Sequence, residues 1–267
     1  QENSLISRIN RGDTVQPDPL LSAMLEQSRD VFRRTDGAFD PTVGPLVNFW
    51  GFGPEKRREV DSSRVEDLLR QTGMPRLNET TASYSLPPGM KLDFNAIAQG
   101  FTVDLLATYL EERHVVDYLI EVGGEMRTRG TNAEGKIWRV GVDKPTEEID
   151  QQDRFQVILA LDSAGLATSG NYRKFWVDSA TGTRYAHTID PRTGYPAMSQ
   201  LLSASVIAPR AAQADAYATA FMVMGTEKTL QFLDTTELPL EAYLISAGPD
   251  SSFRVQQTDG FKAMILN

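Results

Sequence analysis

Apolar residues recur three and four positions apart in four stretches of the chain, the spacing that places them on one face of a helix. The first stretch follows Pro19 and ends near Gly37. Proline is typical of helix starts and glycine of helix ends. Gly73 and Gly225 mark two further stops. The pattern therefore predicts helices over residues 20–32, 65–69, 101–110 and 211–224.

The second half of the chain changes to the pattern of strands, rich in β-branched and aromatic residues. Predicted strands cover residues 118–122, 138–142, 155–161, 185–189, 201–208, 241–246, 253–256 and 262–266. Many of them follow one another at hairpin distance. This order favours an α+β fold with a mainly antiparallel sheet packed with helices, and it disfavours a regular βαβ array.

The length of 267 residues fits one large domain or two intimate ones, and we predict a single domain over residues 1–267. The polar segment 144–153 is the best candidate for a loop or insertion. Residues 53–58 form a charged stretch, predicted to be a surface loop that is too short to separate domains.

Charge and cysteine content exclude several classes of function. The net charge is −9, which argues against non-specific binding of nucleic acid. The absence of cysteine excludes disulfides and thiolate metal sites. No stretch approaches the roughly 20 apolar residues of a membrane span. The chain opens at Gln1 without a signal peptide, so we expect that it has been processed or trimmed.

The block from His187 to Thr219 is the strongest candidate for chemistry. His187 is one of only two histidines, and a turn rich in Pro and Gly follows it. Asp215 and Thr219 are four residues apart, so a helix would place them on one face. A carboxylate and a hydroxyl together suit a hard cation such as Mg²⁺. The alternative is an ordinary turn followed by an amphipathic helix.

Four other motifs allow a functional and a structural interpretation. Residues 37–46 hold two Gly and two Pro, which fix the path of a loop. Either Phe39 stacks on a flat ring and Asp40 accepts a hydrogen bond from it, or the segment is a rigid connector with a buried Phe. Residues 93–100 lead into a helix whose start could bind phosphate, or Asp93 is only a turn residue. Residues 121–125 contain a Gly pair, for which a hairpin is favoured. Residues 168–173 read as a polar turn that binds phosphate or has no ligand.

Taken together, the blocks resemble the ApbE family of FAD:protein FMN transferases. The resemblance runs from about Ser4 to the C-terminus, and six blocks follow in the family's order. They read Gly-Ala-Phe-Asp-Pro-Thr-Val-Gly-Pro-Leu, Asp-x-x-x-Ile-Ala-x-Gly, Glu-Val-Gly-Gly, Ala-Thr-Ser-Gly, His-x-Ile-Asp-Pro-x-Thr-Gly-x-Pro and Ala-Asp-Ala-x-Ala-Thr.

The resemblance implies an enzyme that cleaves FAD at its pyrophosphate and transfers FMN to a Thr or Ser hydroxyl of a target protein. AMP leaves, Mg²⁺ is required, and the fold is α+β with a T-fold-like architecture. It also implies a lipid-anchored protein on the periplasmic side of the bacterial inner membrane. The acceptor would be a protein such as a subunit of a membrane redox complex.

The resemblance also assigns roles to individual residues. Asp215 and Thr219 match the side chains that hold the metal, and Ala96 matches the residue whose carbonyl does so. His187 matches the histidine beside the pyrophosphate and would act as the general base. The matches to the FAD site are Ala38, Phe39, Asp40, Asp93, Gln99 and Ile189.

Two departures from the family pattern bear on activity. Many members have Lys where this chain has Gln99 and Gly where it has Asn95, although some share the Asn and Gln version. A further segment that precedes Ser4 in the family is expected to be missing. FAD hydrolysis to FMN and AMP stays open beside FMN transfer, because the same metal and histidine would serve both. The third alternative is FAD binding without turnover.

Overall fold

The computed structural model describes residues 3–53, 62–146, 153–172, 175–177, 182, 184–249 and 252–266. The chain forms two compact units, which we describe separately. The first unit contains Gln1–Ala96 and Trp176–Ala197, and the second contains Ile97–Phe175 and Met198–Asn267. Most of the charged stretch 53–58 and of the polar segment 144–153 lies outside the described residues.

The first unit is built of helices and two small sheets of two strands each. Its helices are α1 (Leu5–Asn10), α2 (Pro19–Arg34), α3 (Gly44–Phe49) and α4 (Val65–Leu69). Its strands are β1 (Asn78–Glu79), β2 (Tyr84–Ser85), β8 (Phe175–Val177, which enters this unit at Trp176) and β9 (Arg184–Ala186). Strand β1 pairs with β2, and β8 pairs with β9.

A cluster around Trp50 forms part of the core of the first unit. Leu46, Trp50, Val65 and Ile189 are buried together there. The Trp50 indole Nε1 donates to the carbonyl oxygen of Gly194 at 2.8 Å. Because a buried indole N–H needs an acceptor, this bond ties the residues after β9 to helix α3.

The second unit is organised around a six-stranded antiparallel sheet with the strand order β12-β11-β10-β7-β4-β3. Helix α6 packs on β7 and β10, and α5 packs against α6. The sheet strands are β3 (Tyr118–Val122), β4 (Glu125–Arg129), β7 (Gly165–Gly170), β10 (Leu201–Ala208), β11 (Glu241–Ala247) and β12 (Phe253–Gln257). The remaining elements are β5 (Trp138–Asp143), β6 (Phe155–Leu161), α5 (Ala98–Glu111), α6 (Ala211–Thr235) and α7 (Asp259–Ala263).

The α+β class and the antiparallel sheet are confirmed, and so is the hairpin at residues 121–125. Val122 pairs with Glu125 across the turn. Gly123 and Gly124 have φ of 70° and 112°, in the left-handed region that glycine adopts without a steric penalty. Among the helices that the structure describes, none has the length and apolar character needed to cross a membrane.

Two predicted elements at the C-terminal side differ in extent from the structure. The strand predicted over 262–266 is reduced to an isolated antiparallel bridge between Ile265 and Leu159. Helix α7 ends only at Ala263, because Phe261 turns into the core and Thr258 accepts its backbone N–H. Gly225 breaks the helix where a stop was predicted, with φ 74° and ψ 174°. A second helical run follows the kink directly and extends α6 to Thr235.

Two further predictions need correction around the sheet. Residues 168–170 do not form a turn: they end strand β7, where Thr168 pairs with Ser205 of β10. A Thr-Ser-Gly sequence looks like a turn locally, but pairing with β10 holds it extended. The strand predicted over 185–189 is shorter, since β9 covers only Arg184–Ala186.

Candidate active site

The block at residues 37–46 is buried and held by its own side chains. Ala38 and Phe39 lie in the core of the first unit. The Asp40 carboxylate accepts hydrogen bonds from the backbone N and hydroxyl of Thr42, at 2.8 and 2.6 Å, and from the Met74 backbone N at 3.2 Å. Burial raises the pKa of Asp40, although these donors oppose the rise. The Asp40 carboxylate therefore organises its own loop.

Asp93 lies beside this block. Its backbone N donates to the Pro41 carbonyl at 2.7 Å, and its carboxylate accepts the backbone N–H of Asn95 at 2.9 Å. Asp93 is thus a turn residue, one of the two interpretations of the sequence, and burial raises its pKa. The structure brings the predicted FAD residues Asp40 and Asp93 together within the first unit.

The turn after His187 is fixed by several contacts within the first unit. His187 directly follows β9, and its ring meets Phe52 edge to face at 6.3 Å between centroids. The Asp190 backbone N donates to the Tyr195 carbonyl at 2.8 Å. Gly194 has φ 78°, and a Cβ there would lie 2.7 Å from the Val65 side chain. His187 therefore lies beside a turn of fixed shape.

Asp215 and Thr219 lie one turn apart on α6 in the second unit, as predicted. Asp215 is only 4% exposed, and its Oδ2 accepts the backbone N–H of Gly100 at 3.0 Å. Burial raises the pKa of Asp215 to about 7. The Thr219 hydroxyl forms a hydrogen bond with the Ser169 hydroxyl at 3.0 Å. Gly100 and Ser169 are thus hydrogen-bond partners of the two candidate metal ligands. Their positions in the sequence do not reveal this role.

The start of α6 is held by a buried carboxylate from α5. Asp104 accepts the backbone N–H groups of Ala211 and Ala212 at 3.1 and 3.0 Å, and it receives Arg127 Nη1 at 2.8 Å. Arg210, which precedes α6, provides no side-chain cap. Asp104 therefore fixes the helix that carries Asp215.

Glu125 is a second buried carboxylate that sequence reasoning did not assign to the site. It is 8% exposed at the start of β4, and its Oε2 has no hydrogen-bond partner among the residues that the structure describes. Burial, followed by repulsion from Asp215, raises the pKa of Glu125 to about 8. The sequence feature that could have pointed to Glu125 is its position directly after a turn of two glycines.

The predicted site residues divide between the two units. Asp215, Thr219 and the exposed Gln99 belong to the second unit. The other predicted site residues, all in the first unit, are Ala38, Phe39, Asp40, Asp93, Ala96, His187 and Ile189. The side chains of Asp215 and Thr219 offer oxygen atoms as ligands, the type that Mg²⁺ prefers. Within the described ranges, no three His, Asp or Glu side chains are grouped to hold a metal ion.

Comparison with known proteins gives a consistent result. The model of the ApbE family matches residues 1–244. The FAD:protein FMN transferase of Escherichia coli K12 is 35% identical over 100% of this chain and 77% of its own length. The FAD:protein FMN transferase of Haemophilus influenzae is 35% identical over 99% of this chain and 78% of its own.

Solved structures agree with the sequence relatives. The flavin transferase ApbE from Vibrio cholerae superposes with a TM-score of 0.85 at 31% identity, over 99% of this chain and 84% of that one. The apo form of the flavinyl transferase ApbE from Pseudomonas stutzeri gives 0.86 at 30% identity, over 99% and 81%. The chain therefore belongs to the ApbE family.

Proposed function

We propose that this protein is an FAD:protein FMN transferase, which transfers FMN from FAD to a hydroxyl of a target protein. The observation that carries the proposal is the match, over the whole chain, to relatives that bear this name at 35% identity. In the reaction the hydroxyl oxygen forms a bond to the FMN phosphorus, the bond to the AMP phosphate breaks, and AMP leaves.

The proposal includes a divalent cation, Mg²⁺, held by the side chains of Asp215 and Thr219 and by the Ala96 carbonyl. The arrangement on α6 supports it. The buried Asp215 carboxylate accepts the backbone N–H of Gly100, and Thr219 lies one helical turn away. A bound Mg²⁺ would neutralise charge on the phosphates. Gly100 orients the Asp215 carboxylate for that task.

His187 is proposed as the general base that takes the proton from the Thr or Ser hydroxyl of the acceptor. Two features support this role. An imidazole is suited to proton transfer near neutral pH. His187 also lies next to the turn fixed by Gly194, and a fixed mount limits the misplacement that slows catalysis.

FAD is proposed to contact the residues that the resemblance assigns to its site, which are Ala38, Phe39, Asp40, Asp93, Gln99 and Ile189. The hydrogen bond between Asp93 and Pro41 supports a shared role of the two blocks in the first unit. Since the Asp40 oxygens are occupied by Thr42 and Met74, we expect Asp40 to act on FAD mainly by shaping its loop.

The resemblance to the family is the basis for proposing where the enzyme works and on what. We propose a lipid-anchored precursor, a location on the periplasmic side of the bacterial inner membrane, and an acceptor such as a subunit of a membrane redox complex. Fractionation of cells that express the full-length gene, followed by detection in membranes with and without outer-membrane permeabilisation, tests this location.

One experiment separates transfer from its alternatives. The protein is incubated with FAD, Mg²⁺ and a candidate acceptor, and the products are resolved on a denaturing gel and by chromatography. A fluorescent acceptor band supports transfer. Free FMN with AMP and no labelled acceptor indicates hydrolysis instead, and unchanged FAD indicates binding alone.

A further inference from the structure

We propose that Glu125 supplies a second negative charge to the cation site built on Asp215, and that this charge is needed for tight binding of the divalent ion. This inference rests on the cation site in the proposed function. It concerns a residue outside the set that the sequence assigned to the metal.

Contacts within the second unit place Glu125 near the start of α5, which also holds Asp215. Gly100, at the start of α5, donates its backbone N–H to Asp215. Its neighbour Gln99 lies against the turn before Glu125, as a Cβ placed on Gly123 would collide with the Gln99 side-chain amide. The same Cβ would lie 3.5 Å from Glu125 Oε2. Asp215 and Glu125 are also close enough to repel each other electrostatically.

The second unit contains a useful comparison, since Asp104 is buried to almost the same degree, at 7% exposure against 8% for Glu125. Asp104 is fully compensated by Arg127 and by the N–H groups of Ala211 and Ala212. Glu125 has no such set: only its own backbone N–H opposes the rise of its pKa, and its Oε2 is without a partner in the described part of the chain.

Burying a carboxylate without a compensating group is costly. Two buried carboxylates that repel each other raise that cost further. The chain provides a cation for Asp104 and none of the described residues provides one for the pair of Glu125 and Asp215. A divalent ion bound from solution matches the combined charge of −2 that this pair carries once both carboxyls are ionised.

Gln99 is consistent with this assignment. Its side chain is neutral, so it lies beside the turn without contributing a positive charge that would compete with the ion. It can donate a hydrogen bond to oxygen ligands or to water, and it leaves the negative charge of Glu125 in place.

The test measures binding of Mn²⁺ alone, without FAD, by the loss of the free-ion electron paramagnetic resonance signal. Glu125→Gln keeps the shape of the side chain and removes the charge. We expect it to weaken Mn²⁺ binding roughly ten- to a hundredfold, because a charge at close range in a buried site acts strongly. The matched control is Glu121→Gln, which removes the same charge from an exposed position of the same hairpin. We expect it to change binding less than about twofold.

Salt and folding controls make the result specific. The effect of Glu125→Gln should persist in 0.5 M KCl, on the order of the concentration that screens exposed charges, since buried pairs are screened less. Circular dichroism and the melting temperature of the metal-free variant establish that it folds. If Glu125→Gln misfolds, Glu125→Asp keeps the charge, and it should retain binding within a few-fold.

Two outcomes distinguish this inference from the proposed function. If the unmodified protein binds Mn²⁺ and Asp215→Asn abolishes binding while Glu125→Gln binds normally, the cation site stands and the role of Glu125 is overturned. If the unmodified protein does not bind Mn²⁺ at all, both the cation site and this inference fail.

Discussion

The backbone N–H of Gly100 donates to the Asp215 carboxylate at 3.0 Å across 115 positions of sequence. Gly100 can approach so closely because it has no side chain: a Cβ would collide with the Ala211 backbone. The bond occupies Oδ2 of Asp215, so the direction of the second oxygen is also fixed. The main candidate metal ligand is therefore oriented by the protein before any ligand arrives.

Replacing Asp215 with Ala should abolish Mg²⁺-dependent turnover, with a loss of about 10²-fold or more, because it removes the charged ligand. FAD fluorescence quenching should still detect binding. The control is Asp234→Asn, which changes an exposed carboxylate on the same helix. Full Mg²⁺-dependent activity in Asp215→Ala would refute its assignment.

Replacing Ser169 with Ala should weaken Mn²⁺ binding about fivefold, the effect of losing one hydrogen bond worth ~1 kcal/mol. Ser169 orients the Thr219 hydroxyl, so it is a positioning residue. The control is Ser205→Ala, which breaks the neighbouring hydroxyl pair with Thr168 at 2.7 Å.

A double-mutant cycle checks the route of the Ser169 effect. If Ser169 acts only through Thr219, Ser169→Ala should have no further effect on Mn²⁺ binding in a Thr219→Val background. Additive losses in the double variant would show that Ser169 influences the cation independently.

Replacing His187 with Ala should lower the rate of FMN transfer by roughly 10²–10⁴-fold, the usual contribution of a general base. FAD affinity should change no more than a few-fold. His114→Ala removes the only other histidine and is the control. A loss of FAD affinity as large as the loss of rate would instead assign His187 to phosphate binding.

The metal-free protein should lose stability as pH rises. The carboxyls of Asp215 and Glu125 have pKa values of about 7 and about 8, against ordinary values of 3.8 and 4.5. Below both ordinary values the folded and unfolded states bind the same protons. Between pH 4.5 and 8 the folded state keeps protons that the unfolded state has released, so the free energy of unfolding falls.

Urea unfolding in EDTA between pH 5 and 9, roughly the window of these groups, measures the effect. Saturating Mg²⁺ should reduce the decline, since it compensates the charges. The variant with both Asp215→Asn and Glu125→Gln should also show a weaker dependence. An unchanged slope in that variant would assign the pH dependence to other groups.

Replacing Asp40 with Ala should destabilise the first unit by about 3 kcal/mol, because Thr42 and Met74 lose a buried acceptor. Chemical denaturation measures this change. FAD affinity, measured where the variant is still folded, should fall less than about tenfold if Asp40 mainly shapes its loop. A large loss of affinity at unchanged stability would favour direct contact with the flavin.

The sequence predicted those features that depend on local spacing. Asp215 and Thr219 share a face because helical periodicity dictates it, and the hairpin at Gly123 and Gly124 follows from the glycine pair. Residues 168–170 were misinterpreted because their strand is imposed by β10, which lies more than thirty positions away. The sequence did not predict a role for Glu125 for a related reason: its burial depends on elements that are distant in sequence.

The capping of α6 by Asp104 has a consequence for how the site comes into existence. Its bond to the Ala211 backbone N spans 107 positions, and Arg210 contributes no side-chain cap. A peptide of residues 211–235 would carry Asp215 and Thr219 but would lack the cap and the Gly100 donor. Transplanting the Ala-Asp-Ala-x-Ala-Thr segment into another helix should therefore not transfer cation binding. The geometry of the site therefore depends on contacts between parts of the second unit that are distant in sequence.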